Sequence, residues 1–267
     1  MRVTTLASGS SGNCTLISDT DSHILVDAGI STRRISTALT SIGLTLCDIS
    51  AVLVTHEHND HIYGLRTMTK NYHIPLFSPP KVGNCLRWNI PGADELLTDV
   101  IPGEPFSVGE LEISAFPTPH DTPESVGYVL NGSQTAGVCT DLGHVPDSVF
   151  YALEGTDTVV LEANHDEDML RNGDYPFFLK RRIFSDNGHL SNDTCANLAA
   201  ALASSGTRRI ILAHLSRENN SPQIARETVA RVLVKQGFAP DVHIGLAIAP
   251  VGDSFSFDLT EALVCSP

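Results

Sequence analysis

No stretch of this chain approaches the ~20 consecutive apolar residues of a membrane-spanning helix. Its first fourteen residues, Met1 to Cys14, are polar and rich in glycine and serine, without the charged-then-apolar build of a secretory leader. A cytosolic protein with no membrane partner is expected. The six cysteines, Cys14, Cys47, Cys85, Cys139, Cys195 and Cys265, contain no C-x-x-C spacing, and a chain of 267 residues can bury a core without disulfides. They are expected to be reduced thiols, mostly buried. Positive charge is scarce: 17 lysines and arginines stand against 31 acidic residues, a formal net charge of −14. Such a surface repels polyanions on average, which argues against avid nonspecific nucleic-acid binding but not against a local basic groove. The glycine-rich segment Ser8 to Asn13 is followed by no Gly-Lys-Ser/Thr, so it reads as a turn rather than a phosphate loop. Neither an internal repeat nor a low-complexity linker divides the chain, and one domain over residues 1–267 is expected.

What is present is an alternation of short apolar runs and turns. Val3 to Ala7, Cys14 to Ile17, His23 to Val26 and Ala51 to Val54 read as strands. Ser31 to Leu44 carries Ile35, Leu39 and Ile42 at helical spacing, with Ser31 or Thr32 as cap and Gly43 at the end. A helix is expected from about His61 to Asn71. Glu110 to Phe116, Ser125 to Leu130 and Ala136 to Thr140 read as strands, the last two joined at Asn131-Gly132, a hairpin signal. Thr158 to Glu162 and Ile210 to Ala213 read as buried strands, Asp193 to Ser204 and Gln223 to Gln236 as helices, and Val242 to Ile248 and Ser254 to Leu259 as closing β structure. Periodicity alone gives a mixed α/β chain.

The chemistry concentrates first in His56-Glu57-His58-Asn59-Asp60-His61, directly after an apolar strand. Imidazole and carboxylate together suit zinc, iron, manganese or nickel. In extended backbone His56 and His58 project from one face, while Asp60 and His61 lie round the bend and can serve a second ion. The helical pattern H-E-x-x-H is not met, because Asp60 stands four residues after His56. Strands ending in a polar residue supply further candidates, since a strand end holds a side chain rigidly: Asp27 after Leu25-Val26, Asp141 after Val138 to Thr140, and His214 after Ile210 to Ala213. His120 follows Phe116 to Pro119, whose two prolines stiffen the approach. Cys139 reads as core.

Lys180-Arg181-Arg182 is the basic cluster that the net charge conceals. Arginine forks bind phosphate oxygens bidentately, and the turn Gly188-His189-Leu190-Ser191 leading into a helix offers N–H donors to an anion. The alternative for Lys180 to Arg182 is a solvated helix face.

The motif H-E-H-N-D-H resembles the H-x-H-x-D-H signature of the metallo-β-lactamase fold. The segments Leu6 to Asn13, Leu53 to His58, Glu162 to Asp166 with Met169-Leu170-Arg171, Lys180 to Arg182, Gly188 to Asn192, and Leu212 to Ser216 with Asn219-Asn220 resemble its YycJ/WalJ-type branch almost end to end. The resemblance implies a four-layer αβ/βα sandwich and a dinuclear centre of zinc or manganese, with iron as a further candidate. By it, His56, His58 and His120 hold one ion, Asp60, His61 and His214 the other, and Asp141 bridges. Asp27 orients these ligands. It further implies a phosphodiesterase acting as a 5′ to 3′ exonuclease on double-stranded DNA, with a DNA-repair role. In that reading Asp60 positions the attacking water, His189 assists at the scissile phosphate with His165 in the same wall, and Lys180, Arg181, Arg182 and Ser191 bind substrate phosphate. Two other readings remain open: a hydrolase of small substrates (a short or cyclic phosphodiester, a thioester or a lactam) and a noncatalytic metal-binding module.

Overall fold

The computed structural model describes residues 1–250; Cys265 and the strand expected from Ser254 to Leu259 lie outside them. In chain order the elements are β1 (Arg2–Ala7), β2 (Cys14–Asp19), β3 (Ser22–Val26), α1 (Thr32–Ser41), β4 (Ala51–Leu53), α2 (Asn59–Ile62), α3 (Leu65–Tyr72), β5 (Leu76–Ser78), α4 (Pro80–Asn89), β6 (Leu97–Asp99), β7 (Phe106–Val108), β8 (Leu111–Pro117) and β9 (Val126–Asn131). They continue with β10 (Thr135–Cys139), α5 (Asp147–Leu153), β11 (Thr158–Glu162), α6 (Glu167–Asn172), α7 (Phe177–Ile183), α8 (Asn192–Ser204), β12 (Arg209–Ala213), α9 (Pro222–Lys235) and β13 (Gly245–Ile248).

The strands form two mixed sheets, ordered β1-β2-β3-β4-β5-β6 and β13-β12-β11-β10-β9-β8-β7. In each, an antiparallel portion gives way to parallel strands: β3 to β6 in the first sheet, β10 to β13 in the second. Three apolar layers result. Ile24, Val26 and Leu53 of the first sheet meet Ile113, Tyr128, Val160 and Ile211 of the second. Leu25 and Val52 point the other way, onto Ile35 and Leu39 of α1 and Leu65 and Met68 of α3. Val159, Leu161, Ile210 and Leu212 likewise face α8 and α9. The parallel strands read as continuous apolar runs because alternate residues enter two different cores. This is the expected four-layer αβ/βα sandwich.

Most elements lie where periodicity puts them, and Ser31 caps α1 by accepting from the Arg34 N–H. The helix expected from His61 to Asn71 is two helices, α2 and α3. Gly64 N–H donates to Ala28 O at 2.7 Å, which ties the chain to the β3 exit and interrupts the run. The Asn131-Gly132 signal does mark a hairpin, with residues 132–134 between the paired Asn131 and Thr135. Val242 belongs to a turn, Val242 N–H donating to Ala239 O, so the last described strand starts at Gly245. Helices α4, α5 and α7 carry no side-chain cap and start behind a proline at the N-cap, so the usual polar start signal is missing from their sequences.

Candidate metal centre

The first sheet contributes one loop. Its root is pinned by the second sheet: Val126 N–H donates to Thr55 O at 3.2 Å and Tyr128 Oη to Val54 O at 2.8 Å. Its return is held by Asn13 N–H on Asp60 O (2.8 Å) and Ala28 N–H on His61 O (2.8 Å). Gly29 lies so close that an added Cβ would sit 1.6 Å from Asp60 O, so any side chain there would push the loop outward.

The second sheet contributes strand ends. Parallel register sets Cys139 beside Leu161 and Leu161 beside Leu212, so Asp141, Glu162 and His214 emerge from one edge. Asp27 (φ 62°), Asp141 (φ 60°) and His214 (φ 56°) are all left-handed. This conformation is uncommon for side-chain-bearing residues and costs of order 1 kcal/mol or more each. It turns each side chain off its strand and into the space between the two sheets' edges.

The imidazoles and carboxylates converge there. His120 Nε2 lies 3.3 Å from His58 Nδ1, and the His56 and His58 rings are 4.6 Å apart. His61 Nε2 is 3.3 Å from Asp141 Oδ2 and 3.7 Å from Asp60 Oδ2, and His214 Nε2 is also 3.7 Å from Asp60 Oδ2. Donor atoms group as His56, His58 and His120; as Asp60, His61 and His214; and as His56, His61 and Asp141, which ties the two sides together. His56 Nε2, Asp141 Oδ2 and His214 Nε2 are buried without a hydrogen-bond partner. Buried polar atoms are rarely left so, because each carries a desolvation cost. Nitrogen and carboxylate donors converging with spare lone pairs fit divalent cations.

Surrounding groups orient these donors. Asp27 Oδ1 accepts from Thr55 N–H at 2.9 Å, and Asp27 Oδ2 lies 2.7 Å from His61 Nδ1. The Thr55 hydroxyl reaches both Asp27 and His56 Nδ1. On the other side Glu162, fully buried, does the equivalent for two histidines: its Oε1 lies 2.8 Å from His214 Nδ1 and 2.7 Å from His189 Nδ1. Its Oε2 accepts from the N–H groups of Leu142 and Leu190. The sequence assigns Glu162 no site role, only a place at the end of the strand Thr158 to Glu162 and in the resembling segment Glu162 to Asp166, although it ends that apolar strand as Asp141 and His214 end theirs.

Electrostatics divides the histidines. Burial pulls His56 and His120 below the usual imidazole range. Burial acts the same way on His61, but Asp27 and Asp141 outweigh it and raise that ring well above the usual value. His214 is carried up to about 10 against burial by Asp141, Asp60 and Glu162. Burial alone would raise Glu162, yet its contacts with His189 and His214 bring it down to about 2.

The remaining sequence candidates sit around this cage. The Ser8 to Asn13 turn lies beside it: Ser8 Oγ accepts from His214 N–H at 2.7 Å, and Asn13 Nδ2 is 3.0 Å from His61 Nε2. His165 is buried in the wall, its Nδ1 unpartnered and its ring edge-on to Phe184; burial lowers it to about 4. Lys180 donates to Arg171 O and Arg182 pairs with Asp121, so both are already engaged. Ser191 is buried and caps α8 by accepting from Thr194 N–H. Arg181 alone of these basic residues is exposed with no hydrogen-bond or ion-pair partner among the described residues. Cys139 is buried in the core.

Residues 22–215 match the family model of the beta-lactamase superfamily domain. The chain is 37% identical over 237 residues to the exodeoxyribonuclease YycJ of Bacillus anthracis, spanning 87% of this chain and 89% of that protein. It is 33% identical over 236 residues to the exodeoxyribonuclease WalJ of Streptococcus pneumoniae, spanning 86% and 87%. Among solved structures, the metallo-β-lactamase fold protein YhfI of Bacillus subtilis superposes with a TM-score of 0.71 at 18% identity, over 96% of this chain and 98% of that one. No described helix is long and apolar enough to cross a membrane.

Proposed function

The chain belongs to the beta-lactamase superfamily, and from that membership and the donor cage we propose that it is a metal-dependent exodeoxyribonuclease. The observation that carries the metal dependence is the convergence of His56, His58, Asp60, His61, His120, Asp141 and His214 with three buried donor atoms unpartnered. The DNA substrate is supported by the names of YycJ and WalJ, which resemble this chain over most of both lengths.

In this reading His56, His58 and His120 hold one divalent ion, Asp60, His61 and His214 a second, and Asp141 stands between. Zinc and manganese suit the donors best, with iron as a further candidate. When bound, such a pair supplies an acidified water and neutralises charge on a phosphodiester. The chain's own residues do the rest. Glu162 holds the Nδ1 proton of both His189 and His214, which leaves each Nε2 free: that of His214 as a donor atom, that of His189 for substrate. His189, partly exposed, passes a proton from Nε2 to the leaving oxygen when it carries one there as well as on Nδ1; it is left with the Nδ1–H that Glu162 holds, and the Glu162 carboxylate stabilises the doubly protonated ring. Asp60, at the open side of the cage, orients the attacking water. Arg181 meets the substrate backbone, while Arg182 steadies Asp121 next to His120.

The test incubates manganese- or zinc-loaded protein with 5′-phosphorylated duplex DNA, single-stranded DNA, RNA and bis-p-nitrophenyl phosphate. Shortening of end-labelled duplex DNA from its 5′ end is expected; cleavage of the small ester alone would overturn the exonuclease reading. A short-substrate phosphodiesterase is the second reading. It is favoured by the engagement of Lys180 and Arg182 within the protein and by a net charge of −14.

A further inference from the structure

Helix α7 presents to water what most helices bury. Phe177 and Phe178 are 81% and 73% exposed, and Phe184 at its C-cap is 41% exposed. Phe177, Arg181 and Phe184 fall at i, i+4 and i+7 on one face, with Phe178 and Arg182 on the neighbouring row. The opposite face carries Leu179 and Ile183, and Ile183 is buried. The helix is thus anchored by its aliphatic side and offers the rings of Phe177 and Phe178 and the guanidinium of Arg181 outward, with Arg182 beside them on Asp121.

It is also tied to the catalytic cage at close range. Arg182 grips Asp121, the neighbour of His120, and the ring of Phe184 stands edge-on to His165 with centroids 5.3 Å apart. His189 N–H donates to Ile183 O at 3.1 Å, and the Gly188 carbonyl lies 3.1 Å from His120 Nδ1. A Cβ on Gly188 would sit 2.2 Å from Ile183 O, so the turn bearing His189 packs directly under the end of α7.

Aromatic rings interleaved with arginines match the chemistry of an unpaired nucleic-acid strand, because every base has a π-face and every linkage a phosphate. Charge points to the same partner. In a chain of net charge −14 this run is a local concentration of cations, which favours a polyanion over a second, equally acidic copy of the chain. We propose that α7 is a stacking platform for unpaired bases at the strand end entering the site, with Phe177 and Phe178 taking bases and Arg181 the phosphate between them. This deepens, and rests on, the phosphodiesterase reading above. Phe177 stands about 8 Å from Arg182 along the helix axis, roughly two rises of a DNA strand. The platform therefore serves nucleotides beside the scissile phosphate.

The test compares wild type with Phe177→Ala/Phe178→Ala, both as metal-loaded protein. Substrates are duplex DNA ending in two unpaired nucleotides, a phosphorothioate strand carrying 2-aminopurine near its end, and bis-p-nitrophenyl phosphate. Loss of base stacking is expected to lower kcat/KM on the frayed duplex roughly tenfold or more and to abolish 2-aminopurine quenching. Hydrolysis of the small ester and the melting temperature should not change, and Phe177→Trp/Phe178→Trp should restore quenching. Equal kcat/KM for variant and wild type on the frayed duplex would overturn the platform and leave the phosphodiesterase reading standing. So would a parallel loss on the small ester, or a dimer in light scattering that the substitutions dissociate. A wild type inactive on every DNA would instead overturn the functional reading itself.

Discussion

The two halves of the molecule build their shares of the cage differently. The first sheet delivers His56, His58, Asp60 and His61 on one loop, held by neighbours close in space and fixed by Asp27 and the absence of a side chain at Gly29. The second delivers Asp141 and His214 from the ends of separate strands, with Glu162 from a third and His120 from the loop after β8. A loop of six residues keeps its donors together by chain connectivity, once its two ends are held. Strand ends agree in position only if the parallel register of β10, β11 and β12 is correct, because a slip of one residue would send every side chain to the opposite face. Each half nevertheless arrives at the same device: a buried carboxylate that grips the Nδ1 of a histidine and leaves its Nε2 for the cage, Asp27 with His61 and Glu162 with His214. The difference is that Glu162 also touches a second histidine, His189, so in the proposed mechanism it links a metal-holding histidine to a proton-passing one, whereas Asp27 touches only His61 among the histidines.

The strongest way to break this comparison is Asp141→Ala, which removes the carboxylate lying within 4 Å of His61, His120, His189 and His214. Turnover should vanish, and elemental analysis should show both ions weakened; two retained ions would deny Asp141 a place between them. Next in size, His189→Ala should slow turnover by about 10²- to 10⁴-fold, the range of a lost proton-transfer group, with metal content intact. Loss of metal instead would make His189 a ligand, which its inclusion in a donor group with Asp141, Glu162 and His214 permits geometrically. A third experiment sets the two orienting carboxylates against each other. Asp27→Asn and Glu162→Gln should each weaken metal affinity about 10- to 100-fold. At saturating metal only Glu162→Gln should still show a reduced kcat, because only Glu162 touches His189; equal behaviour would erase the asymmetry between the halves. The smallest effect is expected from Arg181→Glu. It should weaken duplex binding by about tenfold or less and lower its salt dependence, while hydrolysis of bis-p-nitrophenyl phosphate stays unchanged.

Much of the fold was legible because alternation and helical spacing are local signals. The parallel strands announced themselves as apolar runs, α1 as an amphipathic segment with Ser31 as a candidate cap, and α8 and α9 as helical segments, whose caps Ser191 and Ser221 only the structure assigns. Helices α4, α5 and α7 were not legible, since each starts at a proline without a side-chain cap. The split between α2 and α3 comes from a hydrogen bond between Gly64 and Ala28, groups far apart in the chain. Glu162 could have been found by asking the question already put to Asp141 and His214, namely what polar residue ends each apolar strand. Lys180 and Arg182 illustrate the opposite case: their charges were visible, but their occupation by Arg171 O and Asp121 was not.

By itself, then, the sequence determined the ligand chemistry and the family: imidazoles and carboxylates at strand ends, with the H-x-H-x-D-H loop as the decisive element. Tertiary structure alone decided which of these groups share a cage, that Glu162 couples two of the histidines, and that Arg181 and the phenyl rings of α7 are left facing solvent. The physical reason is range. Residue type and spacing are set within a few positions, whereas convergence depends on sheet register, on left-handed turns at Asp27, Asp141 and His214, and on which charges neutralise each other first.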